Sequence, residues 1–444
     1  MFKESICIFI CFLIVIPFQF VVEGTKDIES KSIEPFADMG INTDIVQMIN
    51  QVNQTLLFGF LEDIVEFGPR PTGSLNCSKV AQYIYDEFQK MGLWVQFDEW
   101  RFAGFKCKNV VATINGTDPD SDAIMIMCAH YDTKPISPGA LDNGAGVATV
   151  LTAAKIMSTY TFNHTIRFIM FSGEEIGLYG SYTYTKEAYE NGDNIYAVIN
   201  VDEPGYAGST ESGNIILMNH AERSDWLTDF SIFISKKYMN IINLSAVPVP
   251  YLTRGDHAPF FSYGFDSVMY VTRDWDVPWM HKQNDTLEKI NKTYHEKSSK
   301  LLLAILAELA CKPIDIQIRI TSPLEGYVYL FNHPIRSMKI LPIVLNFAWF
   351  RDMQVPTILF GKSTVSVAVQ SKADINGVVF CIDGFVIDMD DTPPYETITT
   401  KFYKPPFSTH QLSVYAYDVN GNWSRDEMNF IQISLPTLID IIVP

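Results

Sequence analysis

Five short segments of this chain each set a His, Asp or Glu where a strand would open into a loop, and together they narrow what it can fold into. They are Cys128-Ala-His-Tyr-Asp-Thr133, Gly139-Ala-Leu-Asp-Asn-Gly-Ala-Gly146, Phe171-Ser-Gly-Glu-Glu-Ile-Gly177, Ile199-Asn-Val-Asp-Glu-Pro-Gly205 and Trp279-Met-His-Lys282. Four of the five stand just after a short apolar run that is followed by Gly, Asn or Pro. That is the carboxyl end of a parallel strand, the usual place for a site in an open α/β sheet. The fifth, His281, follows the run Ser267 to Thr272 after a short loop. Two His and several carboxylates meeting in one crevice suit zinc, and a shared carboxylate suits two zinc ions.

Any one Asp after a strand is ordinarily an N-cap or a turn residue. The pair Glu174-Glu175 resists that explanation, because adjacent carboxylates repel unless a cation or a partner holds them. A metal site offers them a division of labour, one Glu binding metal and the other taking a proton from the water that the metal activates.

Taken together, His130-x-Asp132, LDNGAG, SGEEIGLYGS, NVDEPGY, RGDHAPF and HKQNDTLE resemble the M28 class of di-zinc exopeptidases, in that family's order, over roughly Thr55 to Lys312. The resemblance implies a zinc exopeptidase fold, with a mainly parallel central sheet flanked by helices. It implies two zinc ions per chain, one held by His130 and Asp202, the other by Glu175 and His281, with Asp142 bridging them. It makes Glu174 the general base and has Asp132 orient His130. Asp256 and His257 look like the family's supporting pair near the substrate pocket, and Tyr251 is a candidate contact for the oxyanion.

Length and composition fit a large folded protein of two domains. The 444 residues exceed one ordinary domain, and 47% hydrophobic content allows sizeable cores. A net charge of −18 without a Lys/Arg cluster argues against nucleic acid or anionic lipid as partner and reads first as a solubility feature, while peptides as substrates are what the resemblance implies. Ile6 to Val22 is an apolar run after Lys3, interrupted by Pro17, with small residues at Val22 and Gly24. It reads as a signal peptide, residues 1–24, that leaves a secreted protein; if retained, it would anchor the chain to a membrane. Cys7 and Cys11 would leave with it. Cys77, Cys107, Cys128, Cys311 and Cys381 remain, an odd set with no CxxC spacing, so structural zinc is not expected. Cys77 and Cys107 can pair if the helix carrying the first packs on the strand carrying the second. Eight sequons stand at Asn53, Asn76, Asn115, Asn163, Asn243, Asn284, Asn291 and Asn422, and a glycan is not expected at Asn284, three residues from His281.

Apolar spacing predicts one helix from Asp44 to Phe67 and another over Ser78 to Met91, then strands at Trp94–Phe102 and Val110–Ile114. Further on, helices at 146–160, 182–189, 226–238 and 288–310 alternate with strands at 165–172 and 195–202. The peptidase domain is therefore expected to span residues 25–313. After Pro313 the helical pattern gives way to short alternating stretches, among them IQIRITSP, VSVAVQS and GVVFCIDG, with a hairpin-type turn at Asn420-Gly421. Residues 314–444 are expected to form an all-β sandwich similar to the immunoglobulin-like modules of secreted enzymes. Asp388, Asp390 and Asp391 read as a solvated loop rather than a calcium site.

Two other activities fit a related fold. A carboxypeptidase of the same family needs a cation for the substrate's carboxylate, which Arg254 or Arg273 would supply. A glutaminyl cyclase-like acyltransferase needs a single zinc and would not require both His130 and Glu175. Glu203, directly after Asp202, favours the amino end, because a carboxylate there would attract a free α-amine or a basic side chain. Its plainer role is to cap the turn at Pro204-Gly205.

Overall fold

The structure, a computed structural model, describes residues 40–102, 104–249, 255–330, 332–337, 357–399 and 409–433. The expected signal segment, Tyr251 and Arg254 lie outside the described residues. Among the described residues no helix is long and apolar enough to cross a membrane.

Where one helix is predicted from Asp44 to Phe67 there are two, α1 (Thr43–Gln51) and α2 (Gln54–Glu66). Asn53 causes the break. Its side chain accepts the Leu56 N–H at 3.0 Å and so starts a new helix, while Val52 and Asn53 are extended. Helix α3 (Leu75–Lys90) follows, capped by Ser74, whose hydroxyl accepts the Cys77 N–H at 3.1 Å.

The central sheet is built from β1 (Trp94–Phe102), β2 (Phe105–Ile114), β3 (Ile124–His130), β4 (Thr165–Phe171), β5 (Ile195–Val201), β6 (Ile215–His220), β7 (Ser245–Val249) and β8 (Ser267–Thr272). Their order is β1-β2-β4-β3-β5-β8-β6-β7. Strands β4, β3, β5 and β8 are parallel neighbours. Outside them, β1, β2 and β4 pair antiparallel, β8 meets β6 antiparallel, and β6 and β7 are parallel. The sheet is thus mixed, with the expected parallel character in its four central strands and in the edge pair β6 and β7. The centre is the part that needs cover on both faces. Every residue of β3 is buried. Ile126 and Cys128 pack with Ile169, Phe171 and Phe260 on one face. Met125 and Met127 point the other way, where α4 (Gly146–Met157) and α9 (Lys292–Cys311) lie against β3. Between them in sequence come α5 (Tyr179–Asn191), α6 (Asp225–Lys237), α7 (Met239–Ile242) and α8 (His257–Ser262). Pro248 sits in β7, an edge strand, where a missing N–H is tolerated.

After α9 the described residues form strands and turns alone. Strands β9 (Ile316–Ser322), β13 (Thr364–Ser371) and β16 (Glu396–Ile398) form a three-stranded sheet. A seven-stranded sheet has the order β11-β10-β12-β18-β17-β14-β15, comprising β10 (Tyr327–Leu330), β11 (His333–Ser337), β12 (Thr357–Phe360), β14 (Ile375–Ile382), β15 (Phe385–Asp390), β17 (Thr409–Asp418) and β18 (Trp423–Ile433). Ile318 and Val365 from the first sheet share one core with Phe380, Leu412, Val414 and Phe430 from the second. The hairpin between β17 and β18 turns at Asn420-Gly421, with Gly421 at φ 85°. Strand β12 pairs parallel with both β10 and β18, so the larger sheet is not purely antiparallel. Asp390 caps the backbone N–H groups of Thr392 and Glu396, and Asp388 accepts from the Thr397 hydroxyl. These carboxylates organise a turn.

Arg223, in the turn before α6, ties the β region to the α/β part. Its guanidinium meets Asp266 at 3.1 Å, Glu325 at 2.9 Å and Asp426 at 2.9 Å, and its side chain is 11% exposed. Removing one side of a buried ion pair leaves uncompensated charge. Arg223→Ala is therefore expected to lower stability by about 3 kcal/mol, read as a lower urea midpoint, while the metal content is unchanged. A loss below about 1 kcal/mol would assign the junction to its apolar contacts instead.

Candidate metal centre

Three adjacent parallel strands deliver ligands to one edge of the sheet. His130 is the last residue of β3, Glu174 and Glu175 lie in the turn after β4, and Asp202 follows β5. Asp142 comes from the wide turn Ala140–Ala145 that leads into α4, and His281 from the loop between β8 and α9.

These side chains form two groups of ligand atoms, His130, Asp142 and Asp202 in one and Asp142, Glu175 and His281 in the other, with all atoms of a group within 4.8 Å. His130 Nε2 lies 3.3 Å from Asp142 Oδ1 and 3.5 Å from Asp202 Oδ1. His281 Nε2 lies 2.9 Å from Asp142 Oδ2 and 3.7 Å from Glu175 Oε2. Asp142 therefore turns one oxygen toward each His. Asp202 Oδ1 and Glu175 Oε1 are buried without a hydrogen-bond partner. Buried acceptors left open in this way, beside imidazole nitrogens, fit divalent cations of the zinc type.

The same crowding appears in the electrostatics. Burial pushes the Glu174 carboxyl well above its usual range, and Glu175, Asp256 and Asp202 add to the effect. Burial first, and then Asp142, raises Glu175 to about 7. Burial works the same way on Asp142, but hydrogen bonds from His130 and His281 outweigh it and hold that carboxyl below the ordinary value. So many buried acids in one place call for positive charge.

Several supports are absent from the sequence reading. Lys134 Nζ contacts Glu175 Oε2 at 2.8 Å. Asp285 accepts the N–H groups of Leu141 at 2.8 Å and Asp142 at 3.1 Å, which fixes the bridging Asp from beneath. Arg70 is fully buried and donates to the carbonyl oxygens of Tyr131, Pro138 and Gly139, joining the loops on either side of Thr133. Thr72 donates to Asp132 Oδ2 at 2.5 Å. The only local signal for this group is Gly68-Pro-Arg-Pro-Thr-Gly73, where two prolines stiffen the segment holding an Arg and a Thr.

Asp132 does more than the expected orienting of His130. His130 Nδ1 is 3.1 Å from the Asp132 carbonyl oxygen but 3.7 Å from its carboxylate. The carboxylate instead accepts the N–H groups of Glu174 and Glu175, each at 3.3 Å, and so holds the turn that carries both. Asp256 and His257 are buried at the start of α8, and burial raises Asp256 to about 7. Glu203 follows Asp202 at φ 50°, and its N–H donates to Asn143 Oδ1 at 3.1 Å. Its Oε2 is buried without a hydrogen-bond partner. Glu203 and His281 (φ 60°) both hold the left-handed backbone that side chains disfavour, a strain that clusters at functional sites. Arg273, a candidate carboxylate anchor, is paired with Glu211 at 2.6 Å.

Residues 109–306 match the family described as peptidase family M28. The chain is 30% identical over 194 residues to aminopeptidase YwaD of Bacillus subtilis, covering 43% of this chain and 42% of that one. It is 28% identical over 230 residues to a probable leucine aminopeptidase of Arthroderma otae, covering 47% and 59%. The chain thus spans about half the length of these two relatives. Among solved structures, a zinc aminopeptidase from Bacillus subtilis superposes with a TM-score of 0.53 at 17% identity, over 59% of this chain and 96% of that one. Residues 109–306, the segment that carries the site, thus match peptidase family M28 and are similar to aminopeptidases, and the fold around them is similar to that of the zinc aminopeptidase.

Proposed function

We propose that the chain is a secreted exopeptidase that uses two zinc ions to remove the amino-terminal residue from peptides. The observation that carries this reading is Asp142, whose two carboxylate oxygens are divided between His130 at 3.3 Å and His281 at 2.9 Å. His130 and Asp202 would hold one ion, Glu175 and His281 the other, and Asp142 both. Bound zinc would polarise the scissile carbonyl and make a water acidic enough to ionise near neutral pH. Glu174 takes a proton at its carboxylate and later hands it to the departing amine. Asp132 keeps Glu174 and Glu175 in place through their N–H groups. The open Glu203 carboxylate, in the company of Asp142 and Asp202, favours a cation beside it, and the substrate's α-ammonium supplies one. The pairing of Arg273 with Glu211 weakens the carboxypeptidase alternative. We also read residues 314–444 as an immunoglobulin-like module and residues 1–24 as the export signal, with peptides as the partners of the site.

A panel of aminoacyl fluorogenic substrates, carboxyl-terminal peptides and an amino-terminal glutaminyl peptide, each with and without chelator, tests the reading. Chelator-sensitive release of amino-terminal residues is expected, abolished by blocking the α-amine. Glu203→Gln should raise KM for amino-terminal substrates roughly tenfold with less change in kcat, as loss of one charge contact predicts. Cleavage indifferent to the α-amine but abolished by amidating the carboxyl terminus would make it a carboxypeptidase. Cyclisation of the glutaminyl peptide without hydrolysis would make it an acyltransferase.

A further inference from the structure

Two cysteines meet beneath the segment that supports the metal centre. Cys77 sits in the first turn of α3 and is 2% exposed. Cys107 is half-buried in β2, opposite Trp100 of β1. Helix α3 packs on β1 and β2. The turn just before it lies against the start of β2, since a Cβ on Gly73 would meet Phe105 Cδ1 at 3.5 Å. The two thiols are hydrogen-bonded to each other, and both also reach the Gly73 backbone. Cys128, by contrast, is buried in β3 with its thiol toward Asn200 at 3.6 Å, and Cys381 belongs to the β region.

We propose that Cys77 and Cys107 form a disulfide that fastens the Arg70–Cys77 segment, and with it the support of the metal centre, to strand β2. Two thiols that interact across a helix turn and the strand it packs on are placed to bond, and a disulfide's tight distance range makes that placement a condition of its forming. The fastened segment is not idle chain. Arg70 holds the loops at Tyr131 and Gly139, and Thr72 holds the Asp132 carboxylate on which the Glu174-Glu175 turn rests. A bond at Cys77 removes conformations in which this segment peels away from the sheet.

The oxidant is a small disulfide of the glutathione class. Cys107 is the better exposed of the pair, and the hydrogen bond from Cys77 lowers its pKa, so it reacts first. Its thiolate attacks one sulfur of glutathione disulfide, forming a mixed disulfide and releasing one glutathione thiolate, which takes up the proton. Cys77 then gives up its proton and attacks Cys107 Sγ, expelling the second glutathione. Two protein thiols are oxidised, and one small disulfide is reduced to two thiols.

The test uses the full chain equilibrated in graded mixtures of reduced and oxidised glutathione, alkylated under denaturing conditions and mapped by mass spectrometry. A peptide pair linking Cys77 to Cys107 is expected. The oxidised form should melt several degrees higher and release zinc to a chelator several-fold more slowly, and both effects should reverse on reduction. Cys107→Ser should remove the redox dependence and Cys381→Ser should leave it intact; if Cys77→Ala does not fold, the half-buried Cys107 still carries the comparison. Full alkylation of both thiols under oxidising glutathione, or a stable glutathione adduct on Cys107, overturns the proposal. A crosslink that leaves melting and zinc release unchanged overturns the support role. The zinc readout rests on the metal-centre reading above, whereas the crosslink map does not, so a protein that forms the bond yet holds no zinc would count against that reading alone.

Discussion

Glu174→Gln is expected to keep its full complement of metal and to lose turnover by about three orders of magnitude, the usual weight of a positioned general base. The substitution keeps the shape of the side chain. It also leaves the backbone N–H of residue 174 with its partner, the Asp132 carboxylate at 3.3 Å. What it removes is a proton acceptor in a place where burial and three neighbouring carboxylates raise proton affinity. Metal analysis alongside steady-state kinetics separates the two effects. Activity within a few-fold of the unsubstituted protein would refute the assignment and move the search to Glu175 or Asp256, each raised to about 7.

Asp142→Asn is expected to fail at an earlier step. The unsubstituted chain should carry about two zinc ions, and the variant one or none, with activity lost accordingly. An amide offers a single neutral oxygen, so one of the two His residues would face an N–H donor instead of an anionic acceptor. The contacts from Asp285 reach the backbone of Leu141 and Asp142 and would survive, so the loop should stay folded. Elemental analysis after gentle purification, with circular dichroism as the check on folding, reads the outcome. Two zinc ions retained in the variant would mean that Asp142 does not bridge.

Three of the ligand positions are legible in the sequence because an apolar strand run ends at or just before them, a pattern local enough to see in a few residues, whereas Asp142 and His281 stand in loops and are picked out by residue type and by the resemblance. His130 closes β3 and Asp202 follows β5 for that reason. The supports are invisible by the same logic. Arg70 reaches Tyr131 and Gly139, and Asp285 reaches Leu141, through hydrogen bonds between distant positions that leave no periodic trace. The break at Asn53 is masked because apolar spacing continues across it, and only the cap reveals two helices. Strands β6 and β7 escape because no ligand flanks them, and the antiparallel pairing of β6 with β8, like that of β1, β2 and β4 at the other side, makes the sheet mixed. In the β region the longer stretches at β9, β13, β14, β17 and β18 alternate clearly, whereas β12 and β16 span four and three residues, too few for an alternation to register.

The bond from Leu141 to Asp285 joins positions 144 residues apart. Contacts of that range form late, since the entropy of closing so long a loop is spent before any of them rewards it. The bridging Asp is therefore unsupported in a growing chain until the stretch that carries His281 and Asp285 has been made and docked. Up to that point Asp142, Glu174, Glu175 and Asp202 have Lys134 as a cationic neighbour but lack the His281 side of the site. Metal supplied early would find scattered carboxylates, and metal supplied late would find a finished cage and stabilise it by mass action. On the proposed zinc reading, the timing of metal supply relative to synthesis would then bear on how much active protein a cell recovers.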